Sequence, residues 1–340
     1  MRCTLLVLAV FASMMAQQPE AAPNPTPGQQ PTNGATNQKR RPELPFELQP
    51  LDPAFWELFD KSAQLKVMGD GFGFTEGPVF EPGGTLLLSD EEKNVIYRLH
   101  PDGSRQELIA LGDPDGNTFD KQHRLIVTAS ILRAIIRLSP DMKTYEVLAD
   151  KYDGQRLNSP NDVTLGPDGA IYFTDPTLDL VKGEKQETPF QGVYRLDANG
   201  KLTLLTKDLE QPNGLAFSPN GKYLYIDDTR QRNIRRYRFH KGILSDGVIF
   251  ADENIAGEHG VPDGIKCDVR GNVYVTGPRG IWVWSPRGKH LGTIQTPREP
   301  ANLTWGGMGN HTLYLTAGPY VYTLETKATG HLSYPEKASR

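Results

Sequence analysis

Short apolar runs alternate with polar turn residues along most of this chain, and one run recurs six times: Leu86-Leu-Leu-Ser-Asp90, Leu125-Ile-Val-Thr-Ala129, Ile171-Tyr-Phe-Thr-Asp175, Leu224-Tyr-Ile-Asp-Asp228, Val273-Tyr-Val-Thr-Gly277 and Leu313-Tyr-Leu-Thr-Ala317. The copies start 39 to 53 residues apart, which is the length of a four-stranded propeller blade. Gly- and Asn-bearing turns precede them, as at Pro167-Asp168-Gly169 and Pro219-Asn220-Gly221, because tight β-connections need a positive φ. A matching strand follows each copy, for example Val95-Ile-Tyr-Arg-Leu99 and Gly192-Val-Tyr-Arg-Leu196. Five copies are then followed by a further strand, and the sixth is not. Residues 63–69 look like those outer strands and are expected to close the ring against the last blade. The pattern therefore predicts an all-β, six-bladed β-propeller closed by an N-terminal strand. A doubly wound α/β fold would need amphipathic crossover helices, and the chain offers none.

Propeller blades turn their first strands towards the central channel, so equivalent residues there converge. Aligning those strands gives Glu76, Asn117, Asn161, Asn213, Asp263 and Asn302, each with a side-chain oxygen. An Asn-Gly pair taken singly is a turn signal, but recurrence in every blade points to a shared role. Carboxylates and amide oxygens without His or Cys suit a hard divalent cation, calcium before others, and do not suit zinc.

The 340 residues, 37% hydrophobic and 23% charged, are enough to bury a large core. A net charge of −4 argues against nucleic acid or an anionic membrane as the main partner. Arg230, Arg232, Arg235, Arg236 and Arg238 form a local exception, read as a solvated strand face with a substrate or partner patch as the alternative. Residues 1–22 carry Arg2, an apolar run and small residues, the pattern of a cleavable export signal, with an uncleaved anchor as the other reading. Residues 23–50 are rich in Pro, Gln and Asn and are expected to form a flexible tether, ahead of a propeller over 51–330 and a tail over 331–340. Cys3 falls in the export segment, so Cys267 is left without an intramolecular disulfide partner and reads as a buried, inert thiol.

Seven motifs carry a family resemblance: Phe74-Thr-Glu-Gly-Pro-Val-Phe80, Arg156-Leu-Asn-Ser-Pro-Asn-Asp162, Tyr172-Phe-Thr-Asp-Pro176, Pro189-Phe-Gln-Gly-Val-Tyr194, Gln211-Pro-Asn-Gly214, Val261-Pro-Asp-Gly264 and Pro300-Ala-Asn302. The chain resembles the gluconolactonase-like group of the senescence-marker-protein-30 (regucalcin) family, whose relatives include phosphotriesterases. The resemblance implies a calcium ion held by Glu76, Asn213 and Asp263, with Asn161 near both metal and substrate, and calcium-dependent hydrolysis of a lactone or related ester. Asp263 is then general base, nucleophile or ligand only, and Asn161 its companion at the reacting centre. Arg156 and His259 are substrate-contact candidates, and the connection over 177–191 is the lid candidate. Asp175 and Asp228 are expected to hold backbone amides. No nucleic acid, no membrane beyond the export signal and no obligate protein partner is expected. Two departures stand out. Thr128-Ala129-Ser130-Ile131 replaces the usual Cys-Glu-His-Gly, and Thr177-Leu178 follows Asp175-Pro176 in place of Pro-Tyr-Gly. They keep open a metal-binding propeller with altered specificity or no turnover, and a phosphotriesterase-like activity.

Overall fold

A computed structural model describes residues 43–335, except Pro82. The expected export signal and most of the expected tether lie outside the described residues. Six sheets of four or five antiparallel strands form a β-propeller; four run in sequence order from an inner to an outer strand, and the last two take their outermost strand from the N-terminal segment. The inner strands are Thr75–Glu81, Pro114–Phe119, Val163–Leu165, Pro212–Phe217, Ile265–Cys267 and Asn302–Gly306. Hydrophobic clusters fill the gaps between neighbouring blades: Val79, Leu87 and Ile96 of the first pack with Phe119, Val127 and Ile136 of the second. This is why the recurring strand reads as a continuous apolar run. It is covered on both faces.

The ring closes as the pattern predicts. Lys66–Gly69 pairs with Tyr320–Glu325 in the register Lys66 to Thr323 and Val67 to Tyr322, giving the sixth blade its outer strand. Two boundaries need correction. The expected tether does not reach residue 50, because Glu47–Pro50 pairs with His290–Gln295 as a fifth strand of the fifth blade. The expected tail is also anchored at its start: the His331 amide donates to the Cys267 carbonyl, and the buried Tyr334 donates to the Phe80 carbonyl at 2.7 Å. Between the two N-terminal strands, Pro53–Glu57 forms a 3-10 turn capped by Asp52, whose side chain accepts from the Ala54 amide at 2.9 Å. That turn drives Phe55 and Phe59 into the core between the last two blades, ring centres 4.7 Å apart. No helix among the described residues is long and apolar enough to cross a membrane.

Phe55 is fully buried, so the segment preceding the ring is part of the fold. Phe55→Ala should cost about 3–5 kcal/mol in urea unfolding. A loss below about 1 kcal/mol would mean that the segment rides on the propeller without bracing it.

Candidate functional site

Strand pairing fixes which residues are equivalent. Phe80, Phe119, Leu165, Phe217, Cys267 and Trp305 each sit opposite the first residue of their recurring apolar run. Four residues earlier stand Glu76, Asp115, Asn161, Asn213, Asp263 and Ala301. Two members of the expected set are therefore out of register. Asn117 lies two residues beyond the shared position, and its amide donates to the Gly77 carbonyl and the Ser89 hydroxyl, both at 2.8 Å. Asn302 lies one residue beyond, and Asp115, absent from the expected set, takes the place assigned to Asn117. Bulges between Glu76 and Val79, Pro114 and Asn117, and Pro212 and Leu215 disturb simple counting along these strands.

The next position is glycine in four blades, and the reason is steric. A Cβ on Gly77, Gly116 or Gly214 would run into the carbonyl of Asp115, Asn161 or Asp263 in the following blade, and one on Gly264 would run into Asn302. Opposite, on the second strands, stand Ser89, Thr128, Thr174, Asp227, Thr276 and Thr316, all fully buried. Four of them bond inner-strand backbone: Ser89 donates to the Asp115 carbonyl of the next blade at 2.7 Å and Thr128 to the Asn161 carbonyl of the next, while Thr174 and Thr316 accept from the Asp162 and Asn302 amides of their own blades. Asp227 is the one carboxylate in this ring. One of its oxygens accepts from the Gly214 amide at 3.2 Å and the other has no partner.

Side-chain amides are oriented so that oxygens remain for a ligand. Thr229 donates to the Pro262 carbonyl at 2.8 Å, so its oxygen only accepts from Asn213, whose nitrogen lies 3.1 Å away. Asn161 turns its nitrogen to the Asp179 carboxylate at 3.4 Å. Glu76 holds one oxygen against the Gly77 amide and the Asn302 amide nitrogen, the latter at 2.8 Å. Asn302 in turn accepts from Lys266 at 3.4 Å, and Lys266 also lies 3.7 Å from Asp162.

Acid density dominates the electrostatics. Burial, reinforced by the charge of Asp162, pushes Glu76 up to about 7. Burial and the charges of Glu76, Asp162 and Asp179 hold Asp263 well above the carboxylate range, against a hydrogen bond from Asn213. Glu91, Asp113 and Asp115 are raised in the same way, by burial first and by neighbouring acids second. Asp113 and Asp115 each leave a buried oxygen without a partner. Such a site disfavours charge until a cation arrives. Among the described residues no trio of His, Cys, Asp and Glu gathers to hold a metal alone, so an ion bound here leans on the amide oxygens of Asn161 and Asn213. That donor set fits a hard cation.

Other expected residues are placed differently. Arg156 pairs with Glu184 at 3.7 Å, and His259 is exposed. The 177–191 connection is strapped down: the fully buried Arg133 donates to the Leu157 carbonyl at 2.6 Å and reaches Glu184 at 3.3 Å. It brings Asp179 to Asn161, a site residue that periodicity does not reveal. Asp175 and Asp228 do hold backbone, accepting from the amides of Asn158 and of Glu210 and Gln211. Cys267 is buried and its thiol is pushed up by that burial.

Comparison with known proteins places this geometry. A model of the SMP-30/Gluconolactonase/LRE-like region matches residues 74–318. A gluconolactonase of Zymomonas mobilis is 30% identical over 309 residues, covering 82% of this chain and 86% of that one. A pentonolactonase of Haloferax volcanii is 26% identical over 253 residues, covering 71% and 80%. The solved structure of a gluconolactonase from Xanthomonas campestris superposes with a TM-score of 0.77 at 31% identity, over 84% of this chain and 99% of that chain. Regucalcin of Agrobacterium tumefaciens, a calcium-binding protein, shares the fold with a TM-score of 0.66 at 18% identity over 80% and 99%.

The raised Glu76 sets a pH dependence. Without metal, the folded chain keeps a proton on Glu76 that the unfolded chain, at its ordinary value of 4.5, releases, so this group's contribution to stability falls as pH rises from 4.5 to about 7. A cation binds the ionised form and offsets that loss. The melting shift between calcium and chelator should thus be larger at pH 8 than at pH 5, and an equal or absent shift would remove the carboxylates from the site.

Proposed function

The chain belongs to the SMP-30/gluconolactonase/LRE-like family, and on that premise we propose that it is a calcium-dependent lactonase that opens a sugar lactone or related ester. The observation that carries this reading is the convergence of Glu76, Asn161, Asn213 and Asp263 at one register position, with their amides turned to leave oxygens free. Those four residues would hold the ion. A bound calcium supplies polarisation of the lactone carbonyl and stabilisation of the oxyanion.

The chain's own residues do the rest. Asn302 and the Gly77 amide hold Glu76 in one orientation, and Thr229 does the same for Asn213. Asp263 is only partly covered and accepts from Asn213; ionised beside a bound cation, it would be the proton acceptor for an attacking water. The strapped 177–191 connection limits solvent above Asn161. Hydrolysis of lactones by the Zymomonas and Haloferax relatives, as their names state, supports the substrate class. The leader-like residues 1–22 support action after export. A second reading, altered specificity, is favoured by Asp179 at the mouth and by the segment Thr128–Ile131.

The test is a panel of lactones, aryl esters and phosphotriesters assayed with calcium and with chelator. Lactone opening that disappears in chelator is expected, and activity indifferent to chelator would defeat the reading. Asp263→Asn should lower kcat by about 10²-fold or more even at saturating calcium, because mass action restores occupancy but not a proton acceptor. Glu76→Gln should recover partly under the same conditions. Equal recovery of both would leave Asp263 a ligand only.

A further inference from the structure

We propose that Asp179 is a specificity-determining residue, a carboxylate that accepts hydrogen bonds from the ring hydroxyls of a polyhydroxylated lactone and so selects such substrates over lactones with bare rings. The proposal rests on the lactonase reading above and adds to it the substrate feature that is read.

Its place in the site carries the inference. Asp179 belongs to no blade strand; the 177–191 connection delivers it to Asn161, whose nitrogen donates to it at 3.4 Å. It is partly exposed, whereas Asp113, Asp115 and Asp227 are sealed. Asp179 is near enough to Asp113, Asp115, Glu91 and Asp263 to act electrostatically on all four, so it lies on the exposed side of the same acid group. An ionised carboxylate offers about four lone-pair sites, so one long bond leaves most of its accepting capacity unused. Among so many acids, another anion is the wrong guest. Neutral hydroxyl donors are the right one, and a site built to bond them rejects analogues that lack them.

A merely structural role is served by other groups. The Asp179 backbone amide donates to the Ser159 hydroxyl at 3.2 Å. Elsewhere the connection is held by Arg133 and Arg156 on Glu184, and by the Gln191 side chain, which accepts from the Thr177 amide at 2.8 Å. None of these bonds uses the Asp179 carboxylate.

The experiment compares wild type, Asp179→Ala and Asp179→Asn with glucono-δ-lactone and with δ-valerolactone, which has the same ring without hydroxyls. The ratio of kcat/KM for the hydroxylated over the bare lactone should fall at least tenfold in Asp179→Ala, chiefly through KM of the hydroxylated substrate, and fall less in Asp179→Asn, which keeps one acceptor. Equal proportional losses on both lactones would overturn the proposal. So would a tenfold weaker calcium affinity of Asp179→Ala in calorimetry, since Asp179 would then be an ion ligand. If wild type opens neither lactone, the lactonase reading fails by itself. The binding arm then decides: titration in calcium with gluconolactam against δ-valerolactam should show a preference for the hydroxylated lactam that Asp179→Ala loses. No preference in wild type, or one that survives the substitution, overturns it.

Discussion

Everything at the mouth of this propeller depends on how closely the inner strands approach one another. The residue after each channel-facing position meets the backbone of the next blade, and in four blades only glycine fits there. That contact holds the inner strands in one layer and leaves the preceding side chain with one direction to take. A ring of small buried hydroxyls, Ser89, Thr128, Thr174, Thr276 and Thr316, lies behind that layer. Such residues fit because the space admits a hydroxyl and four of them bond the adjacent backbone. Where Asp227 stands instead, the extra oxygen is left without a partner.

The same closeness makes the site electrostatically expensive. Glu76, Asp115 and Asp263 share one layer, with Asp162, Asp179, Glu91 and Asp113 around it, so burial first and neighbouring charges second raise Glu76, Glu91, Asp113, Asp115 and Asp263 above the ordinary range. Lys266 is the positive partner in this group. It sits 3.7 Å from Asp162 and 3.4 Å from Asn302, and Asn302 passes its orientation on to Glu76 at 2.8 Å. Burying so many acids together disfavours their ionised forms, the usual condition of a site shaped for binding rather than stability.

The blades were legible because their second strands are apolar without interruption, a consequence of packing on both faces. Ring closure was legible for the same reason: the sixth blade lacks an outer strand, and residues 63–69 have its pattern. The inner register was only partly legible. Bulges add residues between Glu76 and Val79 and between Pro114 and Asn117, so alignment on polar side chains chose Asn117 where the pairing chooses Asp115. The signal was present in the sequence, since Asp115-Gly116 repeats the pair seen at Glu76-Gly77, Asn213-Gly214 and Asp263-Gly264. Asp179 and Glu91 had no such signal: they arrive on connections, where no periodicity operates. Arg156 and His259 flank site motifs in sequence, and in the fold Arg156 pairs with Glu184 while His259 is exposed.

The segment that departs most from the resembling group turns out to support the site. Thr128 donates to the carbonyl of Asn161, and Ser130 donates to the carbonyl of Pro160 at 3.0 Å, both from fully or nearly fully buried positions. Ser159, one residue earlier, donates to the Pro176 carbonyl at 2.8 Å and accepts from the Asp179 amide. The Ser159-Pro160-Asn161 stretch is thus gripped from the second blade on one side and from the start of the 177–191 connection on the other. Larger or charged side chains at 128 and 130 would have to reach past this backbone, whereas short hydroxyls end on it. Short hydroxyls at 128 and 130 therefore brace the backbone that carries Asn161, on the side where the 177–191 connection brings in Asp179.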